Sequence, residues 1–461
     1  MGMQELDLRS FIPQFYQPIC LMTNSLLQNA ATQAIEYAKT RGATAADVEA
    51  STSVGQNITV RLDEVETIEH NRDKGLGITV YLGQQRGNAS TTDMSRAAIE
   101  RTVDAALAIA KYTAADEFAG LPEASALARG PFASLDLYHP WQPSIDGAVQ
   151  LCRQMEAAAF AADKRIDNSE GATLSTYESD FIYANSLGFI GGYATTRHSA
   201  SVTVIATAQS GMQRDYWYSM ARDRHDLESP DAIGLRAGQR AAARLNSRRA
   251  ATGEYPVIFD ATASPGLIGA FVSAVSGSSL YRKSSFLLDS LGTQVFAKGV
   301  SISEDPFLAK GFASGPFDGE GVTTAARDVV KDGVLQGYFL ATYSARKLGL
   351  KSTGNAGGNH NLIVSHDALS LSDLFQKMGR GLYVTETMGH GGNNVTGDYS
   401  LGAAGFWIED GAIAYPVEEI TIAGNLRDMF KGILNIGNDA LPYGSKRVGS
   451  ILIDKMSIAG E

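Results

Sequence analysis

Between Ala46 and Thr92 apolar residues recur at every second position, and a chain that alternates over this length lays down sheet rather than helix. Ile58, Val60 and Leu62 alternate with polar residues, Val65 and Ile68 follow after a slip, and Ile78 to Leu82 resumes the pattern. Turn chemistry at Gly55, Asp63-Glu64 and Asp73-Lys74-Gly75 divides the segment into hairpins. Both flanks are helical. Thr23-Asn24-Ser25, a run of N-cap residues, opens a helix to Arg41 with Gly42 in the C′ position. Ser95 to Tyr112 places Ile99, Val103, Ala106, Leu107 and Ala110 on one face. Helix, antiparallel meander, helix is an α+β module, preceded by an irregular N-terminal extension over 1–22.

Further along, 113–144 is a connector rich in Ala, Gly and Pro, and Ser144 caps a helix from Ile145 to Ala162. Strands dominate from Ala172 to Tyr218. A helix over 230–249 then bridges an N-terminal α+β domain (23–250) to a β-rich C-terminal domain (254–461). That half carries clear hairpins at Lys331-Asp332-Gly333 and Glu409-Asp410-Gly411, and ends in an alternating strand from Ile451 to Ile458. Two or three domains fit 461 residues at roughly 150 residues each. Charged residues make up 19% and there are 48 glycines, a balance of tight turns that excludes disorder and coiled coil.

The net charge of −11 weighs against a nucleic-acid or anionic-membrane partner. Cys20 and Cys152 are the only cysteines, which fits a reducing compartment. Glu5, Asp7 and Arg9 precede any apolar run, unlike a signal peptide, and a cytoplasmic location is expected. Ala261 to Tyr281 is uncharged, but Pro265 and its serines and glycines make it a buried helix rather than a membrane span.

Common catalytic signatures are missing. There is no G-x-S-x-G elbow, no Gly-Lys for a P-loop and no H-E-x-x-H zinc helix. His360 and His366 share a face of a short strand, but that strand separates them by about 20 Å, too far for one ion. His390 lies in the glycine-rich loop Met388 to Gly392 and is read as a partly exposed loop residue. Arg236, Arg240, Arg244 and Arg248 recur every fourth residue, with Arg249 beside the last. On a helix they form one broad basic face, drifting about 40° per step. Against the net charge it is read as a solvated linker face, or as one salt-bridged to a neighbouring domain or subunit.

Several runs in the C-terminal half stand together. They are Tyr281 to Ser290 (YRKSSFLLDS), Pro316 to Val322 (PFDGEGV), Tyr343 to Gly354 (YSARKLGLKSTG), Thr396 to Ser400 leading into Gly402 to Trp407, and Glu419 to Leu426 (EITIAGNL). In this order they resemble the PmbA/TldD family, and within it the PmbA (TldE) branch, and the resemblance extends from about Asn24 to the C-terminus. TldD-like members of that family are zinc peptidases with an H-E-x-x-x-H helix and a late cysteine ligand, and they associate with PmbA-like partners. The corresponding helix here begins at Ser264 as N-cap with Pro265 in the first helical position. Matching the shared Pro-Gly places Ala270 and Val275 at the two histidine positions and Phe271 at the glutamate. No His or Glu lies between Asp260 and Asp289, and no cysteine follows Cys152.

The resemblance therefore implies a chain with no catalytic residue and no metal of its own, inactive alone, with zinc expected in a partner. It would pair with a metal-bearing TldD-like chain, form a homodimer when made alone, and handle extended peptides held by strand addition. Arg282, Lys283, His360, His390, Asp398, Tyr399 and Ser400 are the candidates for a substrate groove or subunit contact. Two alternatives stay open: an independent metallopeptidase with an atypical site using His360, His390 and Asp398, and a non-enzymatic binding protein such as a gyrase regulator.

Overall fold

A computed structural model of the protein describes residues 19–209, 211–389 and 391–460, with side chains from Ser25 onward. The N-terminal half runs α1 (Ile19–Thr40), β1 (Ala45–Arg61), β2 (Glu64–Leu82), β3 (Gln85–Thr91), α2 (Arg96–Tyr112), α3 (Ile145–Ala162), β4 (Ile166–Asn185), β5 (Ile190–Ala208), β6 (Gly211–Ala221) and α4 (Pro230–Ala243). Its six strands form one antiparallel sheet in the order β3-β2-β1-β4-β5-β6. All four helices cover a single face. Under α1 and α2 the sheet buries Val48, Ala50, Leu76, Ile78 and Val80. Under α3 and α4 it buries Ile58, Val60, Leu174, Val202 and Val204. The helix pair α3–α4 is drawn close at Gly234, where a Cβ would stand 2.1 Å from the Met155 carbonyl oxygen.

Helix starts follow the serines. Ser95, Ser144 and Ser229 each accept a backbone N–H from Ala98, Gly147 and Ala232, and Pro230 sits at the start of α4. The slip read before Ile68 is a bulge, since Thr59 pairs with Thr67 and Val60 with Val65. Three two-residue hairpin turns, Leu62-Asp63, Asp332-Gly333 and Asp410-Gly411, have positive φ at both positions.

Four expectations need correction. α1 begins at Ile19, inside the segment read as irregular, because nothing between Pro18 and Thr23 breaks a helix. Gly55 and Asp73-Lys74-Gly75 are not turns. β1 and β2 run through them unbroken, and β1 is paired on both sides, with β2 and with β4. The bridging helix stops at Ala243 rather than at 249, with Asn246 at a left-handed φ of 63°. Finally, Ser264 is the first residue of its helix rather than the N-cap, and its hydroxyl donates to the Phe259 carbonyl. The segment 113–144 carries no helix or strand, only the isolated bridge Leu127–Val322.

The C-terminal half runs β7 (Gly253–Phe259), α5 (Ser264–Ala274), α6 (Gly277–Tyr281), β8 (Ile302–Asp305), β9 (Arg327–Lys331), β10 (Val334–Leu335), α7 (Thr342–Lys347), β11 (Asn361–Val364), α8 (Leu371–Met378) and β12 (Gly381–Met388). It continues with β13 (Asp398–Glu409), β14 (Ala412–Asn425), α9 (Leu426–Lys431), β15 (Ile433–Ile436), β16 (Lys446–Arg447) and β17 (Ile451–Ala459). One sheet is ordered β10-β9-β8-β11-β16. The other, β14-β13-β12-β7-β17-β15, closes on itself because β14 also pairs with β17. The result is a five-stranded barrel with β15 appended. One continuous core runs from the barrel through α5 to the smaller sheet. No helix among the described residues is long and apolar enough to cross a membrane.

Candidate functional site

The uncovered face of the N-terminal sheet looks toward the C-terminal half, and strand alternation decides what it shows. Residues 47 and 49 of β1, 79 and 81 of β2, 183, 181 and 177 of β4, and 193, 195 and 197 of β5 point away from the helices. Loops of the C-terminal half close over this platform and leave two cavities that share Gly319, Ala356 and Gly357. The larger, about 1050 Å³, is acidic: Asp47, Glu49, Asp116, Glu117 and Glu320 face Arg86 and Lys347. Enclosure there lifts the half-buried Asp47 carboxyl to about 7, with Arg86 pulling the other way. The smaller, about 800 Å³, is walled by aromatic rings and carries Arg197 and Arg222.

Two of the collinear runs build this groove. From the Tyr343 to Gly354 run, the Arg346 guanidinium donates to the carbonyls of Phe118, Gly120 and Leu121, and Tyr343 donates to Asp116 at 2.7 Å, so α7 pins the connector across one wall. From the Pro316 to Val322 run, Asp318 is 4% exposed and accepts the backbone N–H groups of Glu320, Val322 and Ala356. Burial raises its carboxyl to about 6 in spite of those donors.

The other runs gather elsewhere, around the barrel end near α6. Phe286 N–H donates to the Asn394 carbonyl, Arg427 donates to the Phe286 carbonyl, and Asn425 donates to Asp398. In this group Arg282 is exposed and donates to the Tyr281 hydroxyl at 3.1 Å, while Lys283 is an exposed turn residue with φ 56°. Strand alternation splits Asp398, Tyr399 and Ser400. Tyr399 is buried against Phe259, and Asp398 and Ser400 are exposed on the other side. Asp398 accepts Thr396 and Asn425, which hold its carboxyl below the usual range. Gly391 admits the close pass of this strand, since a Cβ there would collide with the Ser400 carbonyl. His390 lies outside the described residues.

His360 is placed in the groove and apart from that group. Its Nδ1 lies 3.0 Å from the Ala313 carbonyl and its Nε2 2.9 Å from the Gly354 carbonyl, so whichever nitrogen carries the proton has a carbonyl to donate to. Ala270 is partly buried, and Phe271 and Val275 are fully buried in the main core. Phe271 stands edge-on to Phe296 at 5.0 Å and to Phe430 at 6.3 Å. α5 lies beside β16. These side chains offer zinc no nitrogen, oxygen or sulfur, so the residues present do not fit the metal. Among the described residues no three of His, Cys, Asp and Glu converge to hold a metal ion.

The arginine stripe is salt-bridged to its neighbours. Arg240 and Arg244 both reach Asp215, Arg244 reaches Glu386 of β12 at 2.6 Å, and Arg249 reaches Glu419 of β14. Sequence reasoning missed Arg197, Arg222, Asp47 and the aromatic wall. The signal available was the same-parity spacing of Tyr177, Phe181, Tyr193 and Arg197 in two adjacent strands, which puts all four on one sheet face.

Three family models match in chain order: the PmbA/TldA metallopeptidase domain 1 over residues 46–110, the central domain over 138–245, and the C-terminal domain over 252–460. The chain is 47% identical to a metalloprotease PmbA of Escherichia coli O157:H7, covering 95% of this chain and 96% of the relative. It is 46% identical to a PmbA homolog of Haemophilus influenzae, covering 94% and 96%. Among solved structures, a Bacteroides thetaiotaomicron protein described as a modulator of DNA gyrase superposes with a TM-score of 0.89 at 28% identity, covering 94% of this chain and 99% of that one. TldE from Thermococcus kodakarensis, at 21% identity, shares the fold with a TM-score of 0.82, covering 94% and 100%.

Proposed function

Because the chain belongs to the PmbA/TldD metallopeptidase family, we propose that it is a zinc-free, PmbA/TldE-like subunit that pairs with a metal-bearing TldD-like chain and holds extended peptide for it. The observation that carries this reading is Phe271, a ring with no exposure packed among Phe296 and Phe430 where a glutamate would have to stand. Metal-assisted hydrolysis needs ligands and a base that takes a proton from bound water, and Ala270, Phe271 and Val275 supply neither. What this chain contributes is binding and orientation. The inter-domain groove is large enough for a peptide segment and offers aromatic rings and charges of both signs along its length. Exposed Leu62, Val65 and Ile68 near the tip of the β1–β2 hairpin support a contact with another subunit. A cytoplasmic location fits a chain whose Cys152 is buried, its thiol pushed up to about 12 by burial.

The test is peptide cleavage measured for this chain alone, for the metal-bearing relative alone and for the mixture. The expected result is no cleavage by this chain and more cleavage by the mixture than by the relative alone. Hydrolysis by this chain alone, with zinc retained through gel filtration, would overturn the reading.

A further inference from the structure

We propose that the aromatic end of the inter-domain groove is a carboxylate-binding pocket that takes the C-terminus of a peptide, with Arg197 as the residue that reads the charge. Two guanidiniums at this end of the groove, Arg197 and Arg222, have no carboxylate partner among the described residues. Arg222 is 6% exposed, and its guanidinium donates to three carbonyls: Gly311 at 3.1 Å, Thr196 at 2.9 Å and Phe312 at 2.9 Å. Among the described residues no carboxylate pairs with it. Burial and the neighbouring Arg197 pull its pKa down to about 10, as expected where two like charges share a site. Arg197 is exposed, lines the same cavity and forms no ion pair among the described residues. Both cations flank one ring, with Arg197 5.7 Å and Arg222 5.4 Å from the centroid of Phe312.

A buried cation without a counter-charge is costly, and a cavity beside it is the place where an anion lowers that cost. The one carboxylate in this lining, Asp318, has its oxygens committed to three backbone N–H groups, and the one imidazole, His360, has both nitrogens at carbonyls. Neither answers the two arginines.

The walls say what the anion is attached to. Tyr177, Phe181, Tyr193 and Phe317 line the same cavity, so a carboxylate seated on Arg197 would bring an apolar or aromatic side chain against rings. Beyond Gly319 and Gly357 the groove continues into the acidic cavity of Asp47, Glu49 and Glu320, which suits the cationic, amino-terminal side of a short peptide. The groove is thus polar along its length, basic where the peptide ends and acidic where it begins. This inference rests on the peptide-handling reading and adds to it a direction and a terminus.

The test is calorimetric titration of the full chain with three peptides: Ala-Ala-Ala-Phe as the free acid, the same peptide as its C-terminal amide, and an amide carrying aspartate before the phenylalanine. The free acid should bind about tenfold tighter than the amide, the size expected of one charge-assisted contact. Arg197→Ala, at an exposed position, should reduce the acid to the affinity of the amide, and Arg197→Lys should restore part of the difference. Equal affinities of acid and amide, or a preference untouched by Arg197→Ala, would overturn the carboxylate pocket while leaving peptide binding standing. An aspartyl amide that binds as tightly as the free acid would overturn the assignment to the terminus. Failure of all three peptides to bind would count against the peptide-handling reading itself.

Discussion

Phe271 has the size and shape of a core residue and sits in a cluster of rings, so converting it to an acid touches stability before chemistry. Combining Ala270→His, Phe271→Glu and Val275→His would write H-E-x-x-x-H across the last turn of α5 and its C-cap, Val275. Two histidines without a third ligand and without supporting hydrogen bonds should bind zinc weakly. The expected outcome is weak zinc retention by elemental analysis, little or no peptidase activity and a lowered melting temperature, because a carboxylate is buried where a ring packed. Efficient cleavage by this variant would show that the rest of a catalytic apparatus is present. Asp318 gives a second residue-scale prediction. Its carboxyl, raised from 3.8 to about 6, binds a proton in the folded state that the unfolded chain has released. Its contribution to stability is therefore complete below pH 4 and lost as pH rises through 6, a change on the order of 3 kcal/mol. Asp318→Asn should remove that term, tilting the variant's stability upward with pH between 4 and 6 relative to the parent in denaturant titrations. Parallel curves would refute it. The emptied positions of α5 were legible in the sequence because they depend on residue identity in register. The groove was not, since Arg197 and Arg222 meet Phe312 across about a hundred residues and nothing local marks that encounter.

At the scale of elements, local chemistry was read well wherever a single residue decides the outcome. Ser144 and Pro230 start their helices, and Asp332-Gly333 and Asp410-Gly411 turn their hairpins. It failed where tertiary pairing overrides a local signal. Gly55 and Gly75 carry turn chemistry, yet both lie inside β strands whose backbone groups are satisfied by neighbours. The connector is the reverse case, a stretch without regular structure that is held by side chains of another element. Arg346 supplies three of those bonds, to Phe118, Gly120 and Leu121. Arg346→Ala should free the wall of the acidic cavity. Amide exchange should accelerate at least tenfold over 114–122, the signature of roughly 1.4 kcal/mol of lost local stability, with little change in exchange of the β1–β4 core. Unchanged protection would mean that the Asp116–Tyr343 contact and the walls of the groove suffice.

For the whole molecule, the two halves are joined by charge as much as by apolar contact. Lys310 spans Asp223 and Asp226, Arg244 spans Asp215 and Glu386, and Tyr443 donates to Glu228 at 2.6 Å. Such a body presents fixed surfaces to a second chain, and two-fold closure is the commonest outcome for soluble oligomers. Sedimentation is expected to give a homodimer of this chain alone and a heterodimer once the metal-bearing relative is added. A monomer at micromolar concentration, unmoved by that relative, would contradict it. The barrel adds a constraint of timing. β7, the first strand of the C-terminal half, pairs on one side with β12 and on the other with β17, which ends at Ala459, and β17 also closes the ring against β14. During synthesis at about 5–20 residues per second, β7 waits tens of seconds for its last neighbour. In the N-terminal sheet the longest wait is shorter, that of β1 for β4, and the sheet is complete by Ala221. The C-terminal half therefore stays open along β7 until β17 has been made, and truncation ahead of Ile451 would leave it with an exposed strand edge at which chains aggregate.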